Sequence, residues 1–306
     1  METIGIYRET DGCVFPRIPV AAAIGVFDGV HLGHQALLRR LCEEAKARDA
    51  LPLVFTFSET PKRAQALSGE AERLEIFSSL GIPAVFLADF ASLREFSCEE
   101  FAETYLRSRL DCRAVVVGSD FRFGRGRSGD SETLRKLFGR DVFVLPQVCI
   151  DGQTVSSTEI RRRLSAGDLA GAEKMLGHPY GFLLPVSRGR MLGRKLGFPT
   201  INQIPPQDRL LPRFGVYEST VRVGETSYRG ITNVGVKPTV TSEAVPLLET
   251  YLLGYTGGEL YGETVGVSLL RMLREERRFS SVEALREQVE KDIRAVANSP
   301  AANAET

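Results

Sequence analysis

The sequence predicts a parallel α/β domain followed by an antiparallel β domain that ends in a helix. Three observations carry that expectation. Short apolar runs alternate with helical patterns from Val20 to Leu145. Beyond Tyr180 the apolar period shortens to two. The change falls just after Gly177, a helix-stopping residue in "GHPY". A chain of 306 residues with a 43% apolar fraction is long enough for two cores.

In chain order, "VAAAIGVF" is the first strand and is followed by a helix from Gln35 to Arg48. "LPLVFTF" precedes a helix over Glu70 to Leu80, and "AVFL" one over Ser97 to Leu110. "AVVVG" precedes Ser131 to Phe138, and "VFVL" closes the series. Strands alternating with helices at this spacing imply right-handed crossovers and a parallel sheet. "SCEE" is a capping box in which Ser97 pairs with Glu100. Ser156 and Glu159 form a second in "SSTEIRRRL", and a helix from Asp168 to Leu176 stops at Gly177.

From Tyr180 the runs "GVYESTVRV", "TSYRGITNV", "LLETYLL" and "ETVGVSLL", separated by Gly, Pro and Asn turns, read as an antiparallel barrel or sandwich. The amphipathic "SSVEALREQVEKDIRAVA" follows, with a capping box expected from Ser280 and Glu283. The expected division is residues 1–179, residues 180–298 and a disordered tail over 299–306.

Lys and Arg number 39 and Asp and Glu also 39, so the balance speaks against a polyanionic partner such as nucleic acid. The five cysteines form no CxxC pair and are odd in number, which suggests neither a disulfide framework nor a zinc site and fits a reducing cytoplasm. No stretch approaches the roughly 18 apolar residues of a membrane span. A soluble, cytoplasmic protein is expected.

The stretch "GVFDGVHLGHQ", Gly25 to Gln35, carries two of the three histidines. The preceding strand delivers Asp28 and His31 to the carboxyl edge of the sheet, where open α/β sheets bind ligands. His34 falls in the first turn of the next helix, beside free N–H groups and the positive end of the dipole. Gly25, Gly29 and Gly33 remove side chains where a phosphate chain must approach the backbone. The alternative is a pair of histidines that merely caps a turn.

In "VVVGSDFRFGRGRSGD" the glycines Gly124, Gly126 and Gly129 have GxGxxG spacing, but two arginines and the lack of an apolar helix start argue against a dinucleotide loop. Phe121 and Phe123 either stack on a planar ligand or anchor the loop in the core. Arg161, Arg162 and Arg163 share one helix, which can turn at most two of them to one face.

The second domain holds "RGRMLGRKLGFPTIN". It is no Walker A loop, because Gly193 is followed by Arg194, Lys195 and Leu196. Pro199 keeps Phe198 extended, and Thr200 and Asn202, two apart, face one side. Glu249 stands inside the apolar "LLETYLL", where a lone carboxylate needs a partner or a task, unless it shares a solvent face with Tyr251.

"GVFDGVHLGH" resembles the signature of the HxGH nucleotidyltransferases, "VSSTEIR" resembles their second motif, and "GFPTIN" resembles the Pro-Thr-x-Asn signature of riboflavin kinases. From about Gly25 to Ala295 the chain is similar to the bacterial bifunctional riboflavin kinase/FAD synthetases. The resemblance implies a Rossmann-like nucleotidyltransferase domain and a six-stranded antiparallel β-barrel. Riboflavin plus ATP gives FMN, FMN plus a second ATP gives FAD and pyrophosphate, and both steps use Mg2+. It implies that His31 and His34 steady the triphosphate, with Gly25, Phe27, Asp28, Ser157, Thr158 and Arg161 around the ATP. Asp120, Phe121, Phe123 and Arg125 belong to the FMN-side loop.

In the kinase half the same resemblance implies ATP contacts at Gly193, Arg194, Gly197, Phe198 and Pro199, Mg2+ on Thr200 and Asn202, and Glu249 as base. Two neutral oxygens suit a magnesium shell made mostly of phosphate and water. The partners are then the small molecules riboflavin, FMN and ATP. "FTFSETPKR" departs from the pattern, since many relatives carry a histidine between two prolines there. Two other readings stay open at this point: a chain retaining one activity, which would accumulate FMN, and a flavin-binding regulator, which ATP turnover would discriminate.

Overall fold

The computed structural model describes residues 4–12, 14–58, 65–139, 141–189, 193, 197–237 and 245–299. The chain divides into two compact units, Met1–Glu159 and Ile160–Thr306.

In the first unit β1 (Gly5–Arg8), β2 (Val20–Ile24), β3 (Leu51–Phe57), β4 (Ala84–Ala88), β5 (Cys112–Gly118) and β6 (Val142–Leu145) form one sheet in the order β1-β4-β3-β2-β5-β6. Every pairing is parallel. Both faces are covered, so the central strands are mostly apolar. Leu53, Phe55, Phe86 and Val115 enter one core cluster, and Ala21, Val54, Val85 and Val116 the other. From β2 the chain adds β3 and β4 on one side and β5 and β6 on the other. The order therefore reverses between β2 and β5, which opens a crevice at their carboxyl ends. β1 escapes the sequence reading because four residues on an edge carry too little period to register.

The helices are α1 (Leu32–Ala47), α2 (Glu70–Ser79), α3 (Phe90–Leu93), α4 (Cys98–Phe101) and α5 (Ser131–Phe138). α4 continues as a π-helix over Ala102–Arg109. The capping box at its start is complete: Ser97 Oγ accepts the Glu100 N–H at 3.1 Å, and Glu100 accepts the Ser97 N–H at 2.7 Å. A small hairpin, β7 (Cys149–Ile150) and β8 (Gln153–Thr154), precedes α6 (Ser157–Ala166).

In the second unit α7 (Leu169–Leu176) is capped by Asp168 and ends at Gly177 (φ 75°). Six strands follow: β9 (Tyr180–Pro185), β10 (Thr200–Gln203), β11 (Gly215–Val223), β12 (Thr226–Lys237), β13 (Val245–Leu252) and β14 (Thr264–Glu275). Their order is β10-β13-β12-β11-β14-β9, antiparallel throughout. The two edges meet: Ser187 bridges Asn202, and the buried Gln203 amide donates to Leu184 O (2.7 Å) and Val265 O (2.8 Å). That closure makes a barrel rather than a sandwich. Its interior holds a hydroxyl chain in which Ser219 Oγ, Thr232 Oγ1 and Thr250 Oγ1 are spaced at 2.8 and 3.0 Å.

The period changes at Tyr180, where β9 starts, yet α7 packs on β9 and β14 and keeps company with the barrel. α8 (Val282–Ala297) corrects one expectation, since its cap is Ser281, whose hydroxyl accepts the Ala284 N–H at 3.1 Å. The guanidinium groups of Arg274 and Arg277 hold the ring of Phe279, the chain stays non-helical through Ser280, and the N3 place falls to Ala284 instead of Glu283. Of the expected tail, residues 300–306 lie outside the described residues, as do residues 59–63 of the "FTFSETPKR" departure.

Candidate active sites

The turn between β2 and α1 sits at the crevice. Gly25 N–H extends the ladder by one bond to Phe55 O (3.1 Å). Two residues other than glycine then take left-handed backbone, Phe27 (φ 54°) and Val30 (φ 36°), with Gly29 (φ 78°) between them. Such residues cost on the order of 1–3 kcal/mol each and persist where surroundings over-determine them. Here the Asp28 carboxylate accepts the N–H groups of Leu67 (2.8 Å) and Ser68 (3.2 Å). Gly29 N–H donates to Ser68 Oγ (2.8 Å), and Ser157 Oγ donates to Asp28 O (3.0 Å). Asp28 and Ser157 thus clamp the turn, a role their spacing in the sequence hides.

His31 caps α1, its Nδ1 accepting the His34 N–H at 3.4 Å, so Nε2 is the donor of that ring. The two imidazoles stack with centroids 3.6 Å apart, and Phe27 meets the His34 ring edge-on at 5.1 Å. His34 is half-buried as a residue, but its Nδ1 is enclosed and unpartnered. Burial first, and the electrostatic influence of the neighbouring His31 second, hold it well below the ordinary histidine range. At pH 7 His34 is neutral.

A stability effect follows. Because the folded pKa is depressed, the unfolded chain takes up a proton near pH 6.5 that the folded chain refuses. Stability contributed by His34 is therefore present above about pH 6.5 and lost as pH falls, at no more than about 1.4 kcal/mol per pH unit. Melting of the first unit, followed from pH 8 to pH 5, is expected to drop more steeply for the parent than for His34→Gln. Parallel curves would refute the assignment.

In the loop after β5 the four residues of the flavin-side expectation differ in exposure. Asp120 and Arg125 are exposed, while Phe123 is buried between Phe101 (5.6 Å) and Phe121 (5.4 Å, stacked). The Phe123 ring is thus a core anchor, and only the half-buried Phe121 has an edge to offer. Two of the three GxGxxG glycines have a packing cause: a Cβ at Gly124 or Gly129 would stand 2.6 or 2.5 Å from Cys98 Sγ. On α6, Ser156 Oγ accepts the Glu159 N–H (3.2 Å), Thr158 is exposed and Arg161 half-buried. Arg163 pairs with Asp168 at 2.7 Å and Arg162 faces solvent.

In the barrel, strand register assembles what the sequence scatters. Asn202 on β10 stands opposite Glu249 on β13, which stands opposite Asn233 on β12. One step along, Thr200, Tyr251 and Ile231 form the next row. Leu248, Thr250 and Leu252 are buried, so Glu249 and Tyr251 occupy the other face of β13. Glu249 is exposed, contrary to a reading that buries it in an apolar strand.

That face is hollowed into two cavities. One of about 300 Å³ is lined by Glu249, Asn233, Arg274 and, from α8, Leu285 and Asp292. The other, about 620 Å³, is lined by Asn202, Pro199 and the glycine-rich segment 254–261. Thr200 and Tyr251 line both. Phe198 meets Tyr251 edge-on at 5.8 Å, and its N–H donates to Gly193 O at 2.8 Å. Gly197 (φ 87°) lies in the turn before it. Arg194 lies outside the described residues.

Asn233, unremarkable in "ITNVG", is a residue the sequence reading missed, and its Oδ1 is enclosed without a partner. Asp292 was missed as well; it is buried and holds Arg274 by an ion pair of 3.0 Å at the cavity wall. Neither position carries a local signal.

Comparison with known proteins matches both units. The family model described as FAD synthetase matches residues 17–159, and the one described as riboflavin kinase residues 176–299. A bifunctional riboflavin kinase/FMN adenylyltransferase from Pseudomonas fluorescens is 37% identical over 297 residues, covering 94% of this chain and 93% of that protein. A protein of the same name from Listeria monocytogenes is 31% identical, covering 95% and 96%. A solved structure titled a macrolide-efflux protein from Streptococcus pneumoniae superposes with a TM-score of 0.83 at 29% identity, over 98% of this chain and 100% of that one. Among the described residues of the present chain no helix is long and apolar enough to cross a membrane. With relatives aligned over nearly its whole length and a family match in each unit, the chain belongs to the bifunctional riboflavin kinase/FMN adenylyltransferases.

Proposed function

We propose that the chain makes FMN in its barrel and FAD in its parallel α/β unit. The observation that carries the kinase half is the row Asn202–Glu249–Asn233 at the seam of two cavities. The smaller cavity takes riboflavin and the larger ATP, so that the 5′-hydroxyl and the γ-phosphate meet beside Thr200 and Tyr251. Glu249 accepts the hydroxyl proton as that oxygen bonds to the γ-phosphorus; the bond from phosphorus to the β–γ bridging oxygen breaks, and ADP leaves.

Thr200 and Asn202 offer hard neutral oxygens on one strand face, which fits a Mg2+ otherwise bound by phosphate and water. Among the described residues no group of three acidic, histidine or cysteine side chains forms a cage for it. When bound, the ion neutralises charge on the phosphate oxygens.

In the first unit the FMN phosphate attacks the α-phosphorus of ATP and pyrophosphate leaves. The protein's work there is position and charge stabilisation. His31 and the N–H groups at the start of α1 supply donors for the phosphate chain. Of the FMN-side loop, Asp120, Phe121 and Arg125 are the side chains within reach of a flavin. The thiols of Cys42, Cys98, Cys112 and Cys149 are all free, in keeping with a cytoplasmic location. Incubation with riboflavin, ATP and Mg2+, followed by chromatography, tests the scheme: FMN and then FAD are expected, and no FMN would refute it.

We assign the activities to separable segments. A fragment over 160–306 keeps α7 on β9 and β14 and is expected to make FMN but no FAD. A cut at residue 180 removes the buried Leu169, Ala172, Met175 and Leu176 and is expected to melt lower. A 160–306 fragment that folds and binds no riboflavin would contradict the division.

A further inference from the structure

Arg73 on α2 is 2% exposed, and among the described residues no carboxylate lies within ion-pair distance of it. Its fork is spent on backbone instead. One terminal nitrogen donates to Val26 O (3.0 Å) and Thr56 Oγ1 (3.2 Å), the other to Phe57 O (2.9 Å) and Ser58 O (3.2 Å). Thr56 Oγ1 itself donates to Val26 O (3.1 Å), and Arg73 Nε has no partner. Burial lowers the pKa of this group, against smaller opposing influences from Asp28, Glu70 and Glu72, but a guanidinium stays charged. A cation so enclosed and so poorly paired is costly to keep, and its contacts lie at the carboxyl ends of β2 and β3.

Val26 is the last residue before the left-handed Phe27 that opens the histidine turn. Four donors in one planar fork therefore fix where β2 hands over to that turn relative to the end of β3. They also leave a permanent positive charge below a site that receives a polyanion. We propose that Arg73 is a positioning residue for adenylyl transfer. It sets the His31–His34 turn through the Val26 carbonyl and biases the crevice toward the triphosphate. The inference rests on adenylyl transfer occurring at that turn.

The test uses the full-length chain, so that its own kinase serves as internal reference. Arg73→Lys keeps the charge and loses the fork; Arg73→Met loses both. FAD formation from supplied FMN is measured with ATP varied, alongside FMN formation from riboflavin and a thermal melt. For Arg73→Lys, kcat of FAD synthesis is expected to fall at least tenfold with little change in KM for ATP, since misplacement by even an ångström acts on the chemical step. For Arg73→Met, KM for ATP is expected to rise as well. Kinase turnover is expected to be unchanged in both.

Because a buried arginine can matter for folding, Arg73→Lys decides. FAD synthesis equal to the parent, or reduced only by the unfolded fraction, overturns the proposal. His31→Asn and His34→Ala run in parallel separate the two ideas: if both also leave FAD synthesis intact, the turn is not the adenylyl site; if they alone are impaired, only the role of Arg73 fails.

Discussion

Replacing Glu249 by glutamine is expected to lower riboflavin phosphorylation by roughly a hundred- to ten-thousandfold, the range a positioned general base contributes. Glutamine keeps the size and hydrogen-bonding capacity of the side chain but cannot accept the hydroxyl proton. Glu249 lies on the exposed face of β13, so the barrel core beneath it is untouched and the melt should match the parent. FMN supplied to the same preparation should still become FAD. Near-normal kinase turnover would leave Glu249 as a solvent-facing residue and the base of the barrel unidentified.

The second large effect is expected at the histidine turn. His31→Ala and His34→Ala should each reduce FAD synthesis a hundredfold or more, since they remove donors that stabilise charge in the transition state. FMN synthesis should persist. Packing complicates the comparison: His31 caps α1, and losing a cap costs about 1 kcal/mol. His31→Asn restores a cap acceptor without an imidazole, so it should regain stability and not activity. Recovery of FAD synthesis in that variant would make His31 a structural cap alone, and equal loss of both activities in a folded protein would contradict two separate sites.

Much of the architecture was legible because its causes are local. β3, α5 and β6 run as the apolar runs and helical patterns predict, and the complete box at Ser97 follows from a hydroxyl and a carboxylate three residues apart. The histidine stretch and the Pro-Thr-x-Asn segment were legible for the same reason, each being contiguous. Caps, period and turn residues act over one or two turns of chain, and such forces are written in consecutive residues.

What the sequence by itself determined, then, is the order of the longer elements, the change of period at Tyr180 and the identity of the two short motifs. Tertiary structure decided which residues those motifs work with. The Asp28 carboxylate accepts the N–H groups of Leu67 and Ser68, a clamp made with a distant segment. Phe123 packs into the core against Phe101, a contact its local sequence does not show. Asn233 and Glu249 are neighbours only through the pairing of β12 with β13, and Arg73 reaches Val26 across 47 residues. Register and burial arise from contacts between distant segments, whose energies depend on every strand being in place, so no window of sequence contains them.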